Sequence, residues 1–125
     1  MTVYLDTLVV IWVYEGDEQK VSALASRTLD TSELLVSPAV LLELEMLHEI
    51  GRMRISAERM ISTLESQIGL HVCSMPFRDM AMAALHEKWT RNPFDRLIVA
   101  NAKAAGAPLV TKDERIRKHY RRAIW

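Results

Sequence analysis

Short apolar runs alternate with helix-length segments along this 125-residue chain, and that alternation narrows the fold more than any other feature. Val3-Tyr4-Leu5, Leu34-Leu35-Val36, His71 to Ser74, Pro108 to Thr111 and Ala123 to Trp125 read as short strands. Strands this apolar, each separated from the next by helices, are expected to lie in parallel and to be covered on both faces. The expected architecture is therefore α/β, with a central parallel sheet of four to five short strands flanked by helices. The intervening segments carry helix signals. Leu8 to Tyr14 forms a first helix with Thr7 as its expected cap and Gly16-Asp17 as its stop, and a second helix is expected over residues 19–29. Ser37-Pro38 and Asn92-Pro93 each set a capping side chain before a proline at the first helical position, opening helices that run to about Ile50 and Gly106. Ser56 caps a helix whose Met60, Ile61, Leu64 and Ile68 share one face. Another, from Pro76, carries Phe77, Met80, Ala81, Ala84 and Leu85 on one side, and a short last helix runs from Asp113 to about Tyr120.

Length and composition exclude several classes. Residues 1–125 suit one compact domain that buries roughly two thirds of the surface exposed by the unfolded chain. The lone Cys73 has no internal disulfide partner and no Cys/His pair has zinc spacing, so a reducing cytoplasm is expected. Leu8 to Tyr14, the longest apolar run, falls far short of the roughly 20 residues that cross a bilayer, so no membrane association is expected. The N-terminus lacks the basic start and small-residue cleavage site of a secretory signal. Sixteen basic and sixteen acidic residues cancel, which argues against a protein that coats nucleic acid by bulk charge. The charges are nevertheless sorted. Residues 1–87 hold 6 basic and 13 acidic side chains, a balance of −7, while residues 88–125 hold 10 and 3, a balance of +7.

In a parallel sheet the ligand site lies beyond the carboxyl ends of the strands, and four acids are placed to reach it. Asp6 directly follows the first strand, where it is either a turn acid or a rigidly held metal ligand. Asp113 lies two residues past the fourth strand and also suits a helix cap. Asp95 sits in the first turn opened by Asn92-Pro93, where any acid gains from the helix dipole. Glu43 is the least easily dismissed. Its helical neighbours Ala39, Val40, Met46 and Leu47 are all apolar, so its carboxylate must neutralise, reach outward or meet a cation. Glu45 and Glu49 have polar neighbours and read as solvated acids. Together the four would repel one another without a cation, and oxygen donors lacking His or Cys select Mg²⁺ or Mn²⁺ over zinc. The matching reaction is metal-assisted hydrolysis of a phosphodiester, in which the ion activates water and stabilises charge on the leaving oxygen.

At these residues the sequence resembles the PIN-domain ribonucleases, and within them the VapC-type toxins of bacterial toxin–antitoxin pairs. The matching stretches are Tyr4-Leu5-Asp6-Thr7, Val36-Ser37-Pro38-Ala39 leading to Leu42-Glu43-Leu44, Asn92-Pro93-Phe94-Asp95-Arg96-Leu97-Ile98, and Leu109-Val110-Thr111-Lys112-Asp113. The resemblance implies that Asp6, Glu43, Asp95 and Asp113 form the catalytic quartet that binds Mg²⁺, with Mn²⁺ as a substitute. Thr111, Thr7 and Arg96 would support it. It also implies an RNA substrate, a homodimer, and a small cognate antitoxin through which alone DNA would be contacted. Leu8 stands where many relatives carry His, Leu42 where many carry Trp, and Asn92 where Asp is frequent.

The remaining candidates carry less. His48, His71, His86 and His119 are scattered and no Ser/His/Asp grouping can be read from spacing. Met46, Met53, Met60, Met75, Met80 and Met82 mostly fall at helical spacing, as core or dimer-face filler. Arg96 is equally suited to a site carboxylate, a phosphate or a surface ion pair. Arg115, Arg117 and Lys118, with Arg121 and Arg122, form either a solvated helix face or a rim that tracks RNA phosphates. Two alternatives to a metal-dependent endoribonuclease toxin keep the fold: an RNA-processing nuclease without an antitoxin, and a catalytically silent binding module.

Overall fold

The computed structural model describes all 125 residues. Five parallel strands form one sheet: β1 (Thr2–Leu5), β2 (Glu33–Val36), β3 (His71–Val72), β4 (Leu109–Val110) and β5 (Ala123–Ile124), in the order β3-β2-β1-β4-β5. Tyr4 is aligned with Leu35 on one side and Leu109 on the other, so β1 lies at the centre with Val3, Tyr4 and Leu5 buried. Seven helices flank the sheet: α1 (Thr7–Glu15), α2 (Ala23–Asp30), α3 (Pro38–Glu49), α4 (Ala57–Ile68), α5 (Phe77–Ala84), α6 (Pro93–Ala104) and α7 (Glu114–His119). The chain steps outward from β1 to β3, then crosses back to β4 and on to β5. Right-handed crossovers therefore carry α1 to α4 over one face and α5 to α7 over the other. The direction of winding reverses between β1 and β4, and that pair of strand ends is where an open α/β sheet forms its ligand crevice.

Local chemistry accounts for the helix ends and for the departures from expectation. Ser37, Ser56 and Asn92 cap α3, α4 and α6 through their side-chain oxygens, as their sequence contexts require. The cap of α1 is Asp6 rather than Thr7. Asp6 keeps an extended backbone and its carboxylate accepts from Thr7 N–H, so Thr7 becomes the first helical residue. The helix expected over residues 19–29 is split. A 3₁₀ turn covers Glu18–Lys20, Val21 is extended, and Ser22 caps α2 by accepting from Ala25 N–H at 3.1 Å. A serine that bonds the backbone three residues on competes with continuation of the preceding turn. Strands β3, β4 and β5 are two residues each, because pairing stops where the chain turns away towards the next helix.

The core lies where the periodicity places it, with exceptions at the surface. Met60, Ile61 and Leu64 are buried along α4 while Ile68 is exposed. On α5 only Met80 and Ala84 are buried; Phe77 is 66 % and Leu85 57 % exposed. Met53, Met60 and Met80 fill the core, whereas Met46 and Met82 face outward. Glu45 is not a free surface acid. It reaches from α3 to accept the amide of Ala57 at 3.0 Å, tying the first turn of α4 to α3.

Candidate active site

Asp6 follows β1 directly, and its own amide donates to Val110 O at 3.0 Å, which pins it to the end of β4. Only 9 % exposed, its carboxylate accepts from Thr7 N–H at 2.8 Å and from the Thr111 hydroxyl at 2.6 Å. Burial raises its pKa; the hydrogen bonds from Thr111 and Thr7 oppose the rise and the charge of Asp113 adds to it. Thr111, at the end of β4, is fully buried, and its oxygen also accepts from Asp113 N–H at 3.1 Å. One hydroxyl thus joins Asp6 to the backbone of Asp113.

Glu43 points from α3 towards this strand end, where the Thr7 hydroxyl donates to its Oε1. The apolar stripe around it has the expected consequence: burial raises its pKa first, the Thr7 hydrogen bond counteracts, and the charge of Asp6 raises it further. Asp95 arrives from the first turn of α6. Its carboxyl is pushed up to about 6, first by burial, then by the charges of Asp6, Asp113 and Glu43, with Arg115 pulling the other way. Asp113 caps α7 by accepting from Ile116 N–H at 2.9 Å. The cap uses Oδ1 alone, so the capping reading and the site reading coexist.

Four acids from distant parts of the chain therefore share one electrostatic neighbourhood at the reversal point of the sheet. They do not close into a cage, for no three His, Cys, Asp or Glu side chains stand at metal-ligating spacing. The donor set is nonetheless all oxygen and mutually repulsive, which suits a hard divalent ion that retains several of its own waters.

The supporting residues divide. Thr7 and Thr111 touch the carboxylates directly. Arg96 does not: its Nε donates to Thr90 O at 2.7 Å, and it forms neither an ion pair with a site acid nor a surface salt bridge. Its side chain fixes the loop before α6. Of the basic cluster, Arg115 lies close enough for its charge to act on Asp95. Arg117 and Lys118 occupy the last turn of α7, where cations interact favourably with the helix dipole. Leu8 and Leu42, 51 % and 58 % exposed, leave apolar side chains on the surface beside Asp6 and Glu43 in the chain.

Two features escaped the sequence reading. Trp89 contacts Arg115 across 26 positions of sequence, a separation at which no short-range pattern operates. Beneath the site, the Tyr4 hydroxyl donates to Cys73 Sγ at 3.0 Å and Asn101 Nδ2 approaches the same sulfur at 3.4 Å. The unpaired cysteine is thus an acceptor within a part-buried polar cluster.

The sequence matches the PIN domain model over residues 3–122. The chain belongs to the PIN-domain family. It is 34 % identical over 122 residues to "Ribonuclease VapC22" of Mycobacterium tuberculosis, covering 94 % of this chain and 92 % of that protein. Two solved structures share the fold at 15 % identity. One is a toxin–antitoxin complex from Klebsiella pneumoniae, with a TM-score of 0.69 over 98 % of this chain and 96 % of that one. The other is VapBC2 from Rickettsia felis bound to a DNA fragment from their promoter, with a TM-score of 0.66 over 99 % and 96 %. Among PIN-domain proteins this chain is thus matched along nearly its whole length, and Asp6, Glu43, Asp95 and Asp113 all fall inside the matched residues.

Proposed function

We propose that this chain is a divalent-metal-dependent endoribonuclease that hydrolyses RNA phosphodiesters and acts as the toxin of a type II toxin–antitoxin pair. The observation that carries the chemistry is the gathering of Asp6, Glu43, Asp95 and Asp113 at the ends of β1 and β4, with burial and mutual repulsion raising three of their pKa values. The ribonuclease named as its relative supports the choice of RNA. The quartet would hold Mg²⁺, or Mn²⁺ in its place; when bound, that ion supplies a nucleophile from water near neutral pH and stabilises charge on the leaving oxygen.

The chain's own residues prepare that site. Thr111 and the Thr7 amide orient Asp6 by occupying both of its oxygens, and the Thr7 hydroxyl orients Glu43. The buried walls raise the electrostatic strength of every charge in the crevice. Arg115, with Arg117 and Lys118 further along α7, supplies the positive rim for RNA phosphates. The sorted charges fit this division. The basic last third of the sequence contributes both Asp95 and Asp113, so its cations border the acidic crevice instead of coating the molecule.

The partners follow from the same reading: RNA as substrate, a small antitoxin protein, a second copy of this chain as homodimer, and DNA only through the antitoxin. Apolar side chains left exposed on α1, α3 and α5 and at the C-cap of α5, namely Leu8, Leu42, Met46, Phe77, Met82 and Leu85, offer surface for protein partners. No helix is long and apolar enough to cross a membrane, and the single cysteine is unpaired; we place the protein in the cytoplasm, working as one domain over residues 1–125. An RNA-processing nuclease without an antitoxin would share the site, and an adjacent small open reading frame encoding a DNA-binding protein distinguishes the two.

The direct test incubates purified protein with end-labelled RNA in Mg²⁺, in Mn²⁺ and in EDTA. Internal cleavage is expected with either ion and none with the chelator. Cleavage that persists undiminished in EDTA would overturn the assignment.

A further inference from the structure

The segment between α5 and α6 is held by more side-chain bonds than a connecting loop needs. Glu87 is buried and its carboxylate takes Lys103 Nζ at 2.7 Å on one oxygen and Trp89 Nε1 at 2.7 Å on the other. One residue after Trp89, the Thr90 carbonyl accepts from Arg96 and the Thr90 hydroxyl accepts from Asn92 N–H at 3.1 Å. The indole of Trp89 is thereby fixed in plane and direction. It stacks on the imidazole of His119, with centroids 5.0 Å apart and 9° between the rings. The Arg115 guanidinium carbon lies 5.9 Å from the Trp89 ring centroid, and its NH2 group donates to Trp89 O at 2.5 Å.

Exposed arginines normally sample many rotamers, and ordering one costs side-chain entropy. Here the carbonyl and the ring of Trp89 have met that cost before any ligand arrives. Arg115 has five N–H donors, and the bond to Trp89 O uses one. The remaining donors form a planar fork whose geometry matches phosphate oxygens. Arg115 lies in the first turn of α7, two residues beyond the Asp113 cap, and its charge acts on Asp95, so the fork borders the acidic crevice. Arg117 and Lys118 have no comparable anchor.

We propose that Arg115 grips a backbone phosphate of the RNA at the edge of the acidic crevice, and that Trp89 is the positioning residue that holds its guanidinium there. This rests on the nuclease reading above and deepens it, by naming the contact that seats the substrate and the residue that presets it. Lys103 and Glu87 act one step further back, by locking the indole.

Steady-state cleavage of a short single-stranded RNA in Mg²⁺, measured over a range of salt, tests both halves. Arg115→Gln is expected to raise KM by about tenfold, the usual effect of losing a charge-assisted hydrogen bond. It should also lower the slope of log(kcat/KM) against log[salt] by about 0.7, the value for one phosphate contact on a single strand. Trp89→Ala should reproduce both changes in weaker form. Trp89→Phe, which keeps the aromatic face that the alanine variant lacks, should recover most of the wild-type KM. The double variant should be no worse than Arg115→Gln alone, because the two side chains act through one contact. Arg27→Gln, on α2, should behave as wild type.

Wild-type KM and salt slope in Arg115→Gln would overturn the phosphate grip. An impaired Arg115→Gln beside a Trp89→Ala that loses only thermal stability or kcat, with KM and salt slope unchanged, would overturn the positioning role. A wild-type protein that cleaves no RNA in Mg²⁺ or Mn²⁺ would instead overturn the nuclease reading itself.

Discussion

Asp6→Asn is expected to reduce metal-dependent RNA cleavage by about a thousandfold or more while leaving the protein folded. The magnitude follows from the several kcal/mol of transition-state charge stabilisation that a bound divalent ion provides, at about 1.4 kcal/mol per tenfold in rate. The preserved fold follows from what Asp6 does structurally. As the cap of α1 it accepts from Thr7 N–H through one oxygen, and asparagine is as good a cap as aspartate. The other oxygen meets the Thr111 hydroxyl, which can turn to accept from an amide N–H in its place. Asparagine also removes a charge that is nearly fully buried, so no stability is lost with it. Single-turnover cleavage and a thermal melt of the same preparation check both halves. A folded Asp6→Asn protein that cleaves at the wild-type rate would remove the quartet from the mechanism. Asp95→Asn should show the same loss, since its carboxyl shares that electrostatic neighbourhood.

How much of this was legible in the sequence depends on the range of the interactions involved. The order of strands and helices follows from hydrophobic periodicity, and three helix starts follow from Ser37, Ser56 and Asn92, because a cap acts within three residues of its own position. Glu43 is legible for a different reason: a carboxylate on an apolar helical stripe must neutralise, reach outward or meet a cation, and the fold brings the Thr7 hydroxyl to it. The misreadings share a cause. Asp6 displaces Thr7 as cap because strand pairing to β4 holds its backbone extended. Glu45 reads as solvated because its partner, the Ala57 amide, lies beyond the end of its own helix. Arg96 suits a phosphate, a carboxylate or a surface pair by its context, and its Nε donates to a backbone carbonyl six residues upstream. Trp89 and Arg115 meet only because α6 and β4 return the chain past the α5–α6 loop, which no local pattern encodes. Contacts set by tertiary return are those a single sequence leaves open.

The same electrostatics make stability a readout of the site. Asp6, Glu43 and Asp95 all have pKa values above those of free carboxyls, with burial as the first cause. A group whose pKa is higher in the folded state binds protons more tightly when folded. Its stabilising contribution is therefore complete below the unfolded-state pKa and is lost as pH rises through the folded one, which for Asp95 is about 6. In EDTA the protein should become more stable as pH falls from about 7.5 to about 5, against the usual trend for proteins whose carboxylates are paired. Asp95 is half-buried, so its share after solvent screening is on the order of 1–2 kcal/mol. Saturating Mg²⁺ should reverse the trend. Binding to the folded state adds stability that grows with the ratio of free ion to Kd, and protons compete for the same oxygens, so the gain should fade below about pH 6. Asp95→Asn should flatten the pH dependence in EDTA and raise stability near neutral pH, because the charge it removes is opposed by three others. Thermal melts at a series of pH values, with EDTA and with Mg²⁺, separate these cases. If metal-free wild-type stability instead falls steadily over this range, and Asp95→Asn falls with it, the four carboxylates do not repel one another strongly enough to require a cation.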